Sequence, residues 1–308
     1  MKLTALAGGV GAAKLLSGTA ALLPPQDLTV IVNTGDDFRW HGLHICPDLD
    51  TIIYTLAGIT NPGTGWGVRD DTFHCLEHLG RLGGETWFQV GDRDLATHIY
   101  RTYRLQQGDT LTEITASVSR GNGVKAPILP MTDSFVPTLV LTEGGALAFQ
   151  DYFVRRQCSP RVLGFSYEGI DSARPAPGVI AAIREADAVV LCPSNPFISI
   201  MPILSVPGIR AALESTGATV LAVTPIVAGE ALKGPAAAML RQLGHAVSAV
   251  TIAMFYRDFL DVFVLDHSDE HLAGKVAALG IRPCVTAAVM DSPESRTALA
   301  RSLLEILA

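Results

Sequence analysis

Cysteine is scarce in this chain of 308 residues, and its spacing is uninformative for metals and disulfides. The five cysteines form no C-x-x-C pair, so the sequence indicates neither a zinc site nor a disulfide framework. Mostly buried, reduced thiols are typical of a cytosolic protein. The five positions are Cys46, Cys75, Cys158, Cys192 and Cys284.

Charged residues and long apolar runs are also in short supply. Only 17% of the residues are charged, and the net charge of −7 argues against general nucleic-acid binding. No apolar run reaches membrane-spanning length without glycine, proline or charge, and the N-terminus carries no leader-like pattern. We therefore expect a soluble, cytoplasmic protein with no nucleic-acid or membrane partner.

Apolar residues are abundant and are arranged in a recognisable order. They make up 48% of the chain, which is enough for a substantial core. Buried-strand patterns alternate with helical ones, as at Leu3–Ala7, Leu28–Asn33 and Ala188–Leu191. This predicts an α/β fold with a doubly wound, parallel, Rossmann-like sheet. We expect one domain over residues 1–308, with a mainly helical region inserted at residues 55–130.

Three helices are predicted inside the inserted region. Helical spacing covers Arg69–Arg81, and Asp92 is expected to cap a helix reaching about residue 107. Thr110 is expected to cap a third helix over Leu111–Ser119.

A glycine-rich loop follows the first predicted strand. Gly8, Gly9 and Gly11 would let backbone N–H groups approach an anion at a helix N-terminus, and Lys14 can reach a phosphate. The spacing is not G-x-G-x-x-G, and the Lys-Ser/Thr end of a P-loop is missing. The alternative is an ordinary tight turn between strand and helix. The loop therefore predicts a phosphate site without specifying a nucleotide.

Four carboxylates, Asp36, Asp37, Asp48 and Asp50, follow the second predicted strand. Ligands of open α/β folds bind at the carboxyl ends of strands, and crowded carboxylates repel one another unless a cation or proton compensates them. The alternative is that they cap turns or a helix over Thr51–Gly58. Capping is a poor explanation for all four, so the sequence predicts a cation site.

The strand Ala188–Leu191 is followed by Ser194 and Asn195 between two prolines. The prolines fix the turn, so the hydroxyl and amide groups are suited to hydrogen-bonding a base or a phosphate. A simple Asx turn is the alternative.

Together these motifs resemble the 2-phospho-L-lactate transferase family, whose enzymes assemble the phosphodiester of the deazaflavin coenzyme F-420. The resemblance covers almost the whole chain in order. Two departures are the absence of Thr and Pro in Gly9–Ala13 and the presence of Gln89, where relatives often carry a basic residue. The matching segments are Ala7–Lys14, Asn33–Asp37, His41–Leu43, Cys46–Thr51, Tyr54–Gly58, Gly65–Gly67, Trp87–Phe88, Gly91–His98, Pro193–Pro196, Ile200–Leu204, Pro207–Arg210, Gly229 and Lys233–Gly234.

The resemblance implies a Mg²⁺-dependent transfer between two small molecules. The donor would be a guanosine diphosphate ester of lactate, enolpyruvate or glycerate, and the sequence leaves open which acid is carried. The acceptor would be the terminal ribityl hydroxyl of 8-hydroxy-5-deazariboflavin (Fo), with GMP as the leaving group. The resemblance also implies a homodimer.

The resemblance assigns roles to individual residues as well. The catalytic residues would be Asp36, Asp37 and Asp50, and the Mg²⁺ ligands would come from Asp36, Asp37, Asp48 and Asp50. The donor would contact Gly8, Gly9, Gly11, Lys14, Asn33, Ser194, Asn195 and Lys233. The acceptor would contact Asp50, Trp66 and Gln89, with Trp87 either against the deazaflavin ring or in the core.

Two other functions are consistent with parts of the sequence. A regulatory protein that binds nucleotide sugars without turnover would need the glycine loop alone. A nicotinamide-dependent dehydrogenase would need an acidic residue at the end of the second strand for the ribose, where this chain has Asn33. The dehydrogenase is therefore the weakest of the three.

Overall fold

The computed structural model describes all 308 residues, and its elements alternate between strand and helix. The strands are β1 (Leu3–Ala7), β2 (Leu28–Val32), β3 (Phe38–Trp40), β4 (Leu43–Ile45), β5 (Ile128–Pro130), β6 (Thr138–Thr142), β7 (Gly145–Ala148), β8 (Val162–Tyr167), β9 (Ala188–Leu191), β10 (Thr219–Val223), β11 (Ile226–Val227), β12 (Glu230–Ala231), β13 (Val262–Asp266) and β14 (Arg282–Thr286). The α-helices are α1 (Gly9–Ala20), α2 (Pro47–Leu56), α3 (His74–Arg81), α4 (Asp92–Gln106), α5 (Leu111–Gly121), α6 (Val179–Arg184), α7 (Met201–Ser205), α8 (Ile209–Ser215), α9 (Ala236–Gln242), α10 (Ala249–Tyr256), α11 (Ala273–Ala277) and α12 (Pro293–Leu307).

Seven of the strands form one parallel sheet in the order β5-β2-β1-β9-β10-β13-β14. The order reverses at β1, which pairs with β2 in register Leu3–Leu28 and with β9 in register Leu3–Ala188. A Rossmann-like sheet binds ligands at this switch point, outside the carboxyl ends of the strands. The predicted fold class is confirmed, and the glycine loop lies at the switch point.

Both faces of the sheet are buried, as a doubly wound fold requires. Leu6 and Ile31 point into one apolar cluster of 40 buried residues, whereas Ala5 and Val30 point into another of 33. Alternate side chains of a strand lie on opposite faces, which explains this division. The near-continuous apolar strands of the sequence therefore build two cores at once.

The segment between β2 and β5 carries the additions that shape one side of the ligand edge. It begins with the antiparallel hairpin of β3 and β4 and continues through α2 to α5. Residues 55–130 therefore contain α3, α4 and α5, and β5 begins at the end of this range. A second addition, the antiparallel sheet β7-β6-β8, lies between β5 and β9 in the chain.

Two helix starts differ from the sequence prediction. The helix expected over Arg69–Arg81 begins only at His74, because Arg69 and Asp70 form a turn after the bridge at Val68 and residues 71–73 are irregular. The helix expected near Thr51 begins at Pro47, with Cys46 as its N-cap. Proline suits a first helical position because its missing N–H would have no partner there. Asp48 and Asp50 are therefore inside the first turn and do not cap it.

The role predicted for Asp92 is also wrong. Gly91 caps α4, and the Asp92 carboxylate accepts hydrogen bonds from the backbone N–H groups of His74 and Cys75 at the start of α3. The Asp71 carboxylate likewise accepts hydrogen bonds from the N–H groups of Arg93 and Asp94 at the start of α4. Carboxylates from other segments thus satisfy the free N–H donors at the starts of α3 and α4. The cap predicted at Thr110 is confirmed, and it forms a capping box with Glu113.

No single helix is long and apolar enough to cross a membrane. The segments Pro196–Ser205 and Ile209–Ser215 reach that length and composition only when they are taken together, and they are bent by 83° at their break. Ile203 and Ile209 from this pair lie in the larger apolar cluster against the sheet.

A substitution at the contact between α1 and α12 would test the packing of the fold. A Cβ on Gly18 would lie 2.3 Å from the carbonyl oxygen of Arg296, so the backbones of these helices touch. We expect Gly18→Ala to lower the free energy of unfolding by about 1–3 kcal/mol through overpacking. Denaturant unfolding of the wild type and of Gly18→Ala would measure this difference in free energy.

Gly121 at the end of α5 is the matched control, because a Cβ there would meet no atom within 4 Å. Gly121→Ala is expected to leave stability unchanged or to raise it by up to about 1 kcal/mol. Equal effects of the two substitutions would contradict the packing assigned to Gly18.

Candidate functional site at the switch point

The glycine loop is shaped by close contacts with two neighbouring segments. A Cβ on Gly8 would lie 2.7 Å from Oδ2 of Asp48, and a Cβ on Gly11 would lie 2.5 Å from the carbonyl oxygen of Pro193. Gly9 has a φ of +71°, which favours glycine. The loop therefore requires glycine at three positions, twice for space and once for backbone conformation.

Ser194 joins the loop after β9 to the loop after β1. Its hydroxyl donates to the carbonyl oxygen of Gly8 at 2.8 Å and accepts from the Gly8 N–H at 3.3 Å. Asn195 accepts from the N–H of Phe197 at 3.0 Å, which is the Asx turn that the sequence left as an alternative. Ser194 therefore lies directly against the predicted phosphate loop, whereas Asn195 shapes the turn that carries it.

Two lysines lie near the glycine loop and donate to backbone carbonyls. Lys14 Nζ donates to Met290 at 2.8 Å, and Lys233 Nζ donates to Thr64 at 2.7 Å. Burial lowers the pKa of Lys14, and the nearby charges of Arg296 and Lys233 lower it further. A bound anion would relieve this repulsion, so the arrangement favours a negatively charged ligand.

The loop that carries Trp66 lies over the glycine loop. A Cβ on Gly65 would be 2.7 Å from Cγ1 of Val10 and 3.4 Å from Nζ of Lys233. The Trp66 side chain remains largely exposed beside this contact. Of the other proposed acceptor residues, Gln89 is exposed, and Trp87 is half-buried with its ring centroid 6.0 Å from that of Phe38. The structure thus places Trp66, and not Trp87 or Gln89, in the loop that covers the glycines.

Asn33 organises two of the four predicted carboxylates. Its Nδ2 donates to Asp36 Oδ1 at 3.2 Å and to Asp48 Oδ2 at 2.9 Å, and its Oδ1 accepts from the Gly35 N–H. Both carboxylates are buried. Burial raises the pKa of Asp48 to about 7, and burial followed by repulsion from Asp48 raises that of Asp36. This pair lacks a cationic partner and is suited to sharing a proton or a cation.

Asp37 faces a different set of side chains. Its Oδ2 lies 3.2 Å from Nε2 of His44 and accepts a hydrogen bond from Sγ of Cys46 at 3.0 Å. Its Oδ1 is buried and has no hydrogen-bond partner. His44 comes from β4 and Cys46 precedes α2, so the hairpin and the helix start converge on this carboxylate.

Asp50 is bound by an arginine that the sequence analysis did not select. Both carboxylate oxygens of Asp50 accept from the guanidinium of Arg101, and Nδ1 of His98 lies 3.6 Å from Asp50 Oδ2. Arg101 is 2% exposed. Burial disfavours its charge, but the Asp50 carboxylate more than offsets this and raises the pKa of Arg101. The charge of Asp50 is therefore already compensated within the protein.

Spacing along α4 was the signal that would have revealed this arginine. Asp94, His98 and Arg101 recur at the interval of a buried helical stripe, where apolar residues are expected. His98 Nε2 is 3.4 Å from Asp94 Oδ1, and Asp94 accepts from the hydroxyl of Tyr54 at 2.8 Å. Polar residues at core positions of a helix indicate a buried polar network.

A cavity of about 330 Å³ lies at the far end of this network. Tyr54 and Thr97, which are hydrogen-bonded to each other, form part of its wall together with Arg69 and Arg93. Asp50 occupies the first turn of α2 and Tyr54 follows one turn later. The polar network therefore extends from the acidic loop to this cavity.

These features define an α/β protein with a glycine-rich loop, two nearby lysines and buried carboxylates at the switch point of its sheet. Residues 3–292 match the family model described as 2-phospho-L-lactate transferase CofD. The chain belongs to this family, which confirms the resemblance seen in the sequence.

Comparisons with individual proteins support the same family assignment. The chain is 40% identical to a phosphoenolpyruvate transferase of Streptomyces griseus over 99% of this chain and 98% of the relative. It is also 40% identical to a 2-phospho-L-lactate transferase of Methanosarcina acetivorans, over 96% and 95% of the two chains. A crystal structure of a UPF0052-family protein from Bacillus halodurans shares the fold, with a TM-score of 0.68 and 17% identity over 99% of this chain and 100% of that one. The protein is therefore a transferase of this family.

The buried pair of Asp50 and Arg101 generates a prediction about stability. Arg101→Met keeps the volume of the side chain but leaves the Asp50 carboxylate buried without its partner. We expect the free energy of unfolding at pH 7 to fall by about 3–5 kcal/mol. Thermal or denaturant unfolding would measure the change.

Arg104 on the same helix supplies the control, since its pair with Asp109 is partly exposed. Arg104→Met is expected to change stability little, because exposed ion pairs contribute little. Adding Asp50→Asn to Arg101→Met should recover part of the loss. A double variant less stable than Arg101→Met would contradict the explanation by an unpaired charge.

Proposed function

We propose that this protein transfers a phosphorylated three-carbon acid from a guanosine diphosphate ester to the ribityl hydroxyl of Fo and releases GMP, as a step in coenzyme F-420 biosynthesis. The observation that carries the proposal is the position of the buried pair Asp36 and Asp48. Asp48 lies against the glycine loop and is linked to Asp36 through Asn33, and Lys14 and Lys233 lie beside the same loop. Membership in the transferase family supports the same reaction.

The buried pair suits Mg²⁺ in its chemistry. Hard carboxylate oxygens are the protein ligands that Mg²⁺ takes, usually one or two of them. Asp36 and Asp48 are buried without any cationic partner, and Oδ1 of Asp37 lacks a hydrogen bond. We infer that Asp36 and Asp48 hold the ion, with Asp37 adjacent. When bound, Mg²⁺ would neutralise charge on the donor diphosphate.

The remaining residues would position the two substrates. Gly9 and Gly11 lie in the first turn of α1, where backbone N–H groups favour an anion, and Lys14 would exchange its carbonyl partner for a phosphate oxygen. Ser194 fixes the position of Gly8, and Lys233 would contact the nucleotide side. Asp50, held by Arg101, would accept a hydrogen bond from the acceptor hydroxyl and orient it for attack on phosphorus.

Identity to relatives does not separate the three donors. Proteins named for phosphoenolpyruvate and for 2-phospho-L-lactate are equally similar to this chain, at 40% identity. The three acids differ in a few atoms around C2 and C3. A choice between them therefore depends on local contacts in the bound state and has to be measured.

The direct test is a GMP-release assay with Fo and each of the three guanylyl donors in turn. We expect GMP and the phosphodiester product to form in equal amounts, only when Fo and Mg²⁺ are both present. EDTA should abolish the reaction and added Mg²⁺ restore it. Nucleotide binding without GMP release from any donor would reject the proposal and favour a binding protein without turnover.

Asp48→Asn tests the inferred ligand pair. Asn keeps the shape and an oxygen for Asn33 but removes the charge, so turnover should fall by at least ~10²-fold, the scale seen when an electrostatic stabiliser is lost. Steady-state kinetics over a range of Mg²⁺ concentrations would measure it. Asp109→Asn, in an exposed pair far along the chain, is the control and should retain turnover.

The free energy of unfolding, measured in EDTA, separates a loss of turnover in Asp48→Asn from misfolding of the variant. The pKa of Asp48 is raised to about 7 in the folded protein, so this group destabilises the fold as pH rises from about 4 to 7. Asp48→Asn should therefore gain stability relative to the wild type over that range. A variant less stable than the wild type at pH 7 would show that the carboxylate is needed for folding.

A further inference from the structure

A second cluster of ligand atoms, separate in chemistry from the carboxylate pair, lies beside the acidic loop. Asp37 Oδ2, His44 Nε2 and Cys46 Sγ all lie within 4.8 Å of one another, and all three residues are buried. We propose that they bind a thiophilic divalent cation of the Zn²⁺ class. This goes beyond the proposed transfer, which uses a hard, oxygen-bound ion.

The ligand types favour such a cation over Mg²⁺. Imidazole nitrogen and thiolate sulfur suit Zn²⁺, whereas Mg²⁺ prefers oxygen alone. Carboxylate and thiolate ligands are anionic, and a divalent cation neutralises them in a buried site. Three protein ligands would leave a fourth position for water or another ligand.

The distances are close to those of a formed site. Oδ2 of Asp37 lies 3.2 Å from His44 Nε2 and 3.0 Å from Cys46 Sγ. A tetrahedral ion with bonds of about 2.0–2.3 Å separates its ligand atoms by roughly 3.2–3.7 Å. Small side-chain movements would therefore admit the ion. On binding, Cys46 would release to solvent the proton that it now donates to Asp37.

Two further observations point to a ligand here. The second oxygen of Asp37 is buried and has no hydrogen-bond partner, although the residue is only 3% exposed. No lysine or arginine pairs with Asp37, in contrast to the other buried cluster of Asp50, Asp94 and His98, where Arg101 supplies the charge.

The position of the cluster indicates a structural effect of the ion. Asp37 precedes β3, His44 lies on β4, and Cys46 caps α2. A bound ion would link the hairpin to the helix start, and these segments also carry Asp36 and Asp48. The ion would therefore fix the backbone on both sides of the carboxylate pair.

Cobalt titration of the full chain tests the proposal. Metal-free protein is titrated with Co²⁺ in excess Mg²⁺, which occupies the oxygen sites. We expect one equivalent to give a sulfur-to-cobalt charge-transfer band and tetrahedral visible bands, and Zn²⁺ to remove both. Melting temperature should rise with the same stoichiometry. The absorption bands and the melting temperature are measured without turnover. Failure of this metal-site proposal can therefore be distinguished from failure of the proposed transfer reaction.

Cys46→Ser is the decisive variant, because serine keeps the shape and the hydrogen bond to Asp37 while removing the sulfur. It should lose the charge-transfer band, whereas Cys192→Ser, which removes another buried thiol, and Cys75→Ser, which removes an exposed one, should keep it. A band that survives in Cys46→Ser, or no band in the wild type, would overturn the proposal. Asp37→Asn should weaken the visible bands and provides a second test.

Discussion

The close approach of the first turn of α2 to the glycine loop is the constraint on which the ligand edge depends. Asp48 occupies the volume that a side chain at position 8 would need, and Asn33 donates to Asp48 from the end of the adjacent strand. A larger residue at position 8 would push the helix start away from the sheet. The carboxylate pair, the loop glycines and the strand ends are therefore one packed unit, and none can shift alone.

Four carboxylates in one connection are tolerated because each meets a different environment. Asp36 and Asp48 share an amide donor and have raised pKa values, so they are suited to gaining a proton or an ion. Asp50 pairs with a buried guanidinium. Asp37 sits between an imidazole and a thiol. Burial makes each uncompensated charge costly, so the fold distributes the compensation among separate partners.

The positive groups also lie beside the glycine loop. Lys14 donates to the backbone before α12, and Lys233 donates to the loop that carries Trp66. Both contacts are to neutral carbonyls, which a phosphate oxygen would replace at little cost. Under the proposed function, a diphosphate bound at the glycine loop would contact these lysines and lie near the carboxylate pair proposed to hold Mg²⁺.

Local sequence alone determined the alternation of strands and helices, the glycine loop after the first strand and the cap at Thr110. These depend on periodicity and on residues near in the chain. The helix start at His74 and the role of Asp92 were missed, because the capping carboxylate comes from a distant segment. The start at Pro47 was also missed, although proline at the first helical position is a local signal. Only the tertiary structure decided which partner each carboxylate meets. Arg101 is 51 residues from Asp50, and electrostatic pairing in a buried site depends on distances that chain folding sets.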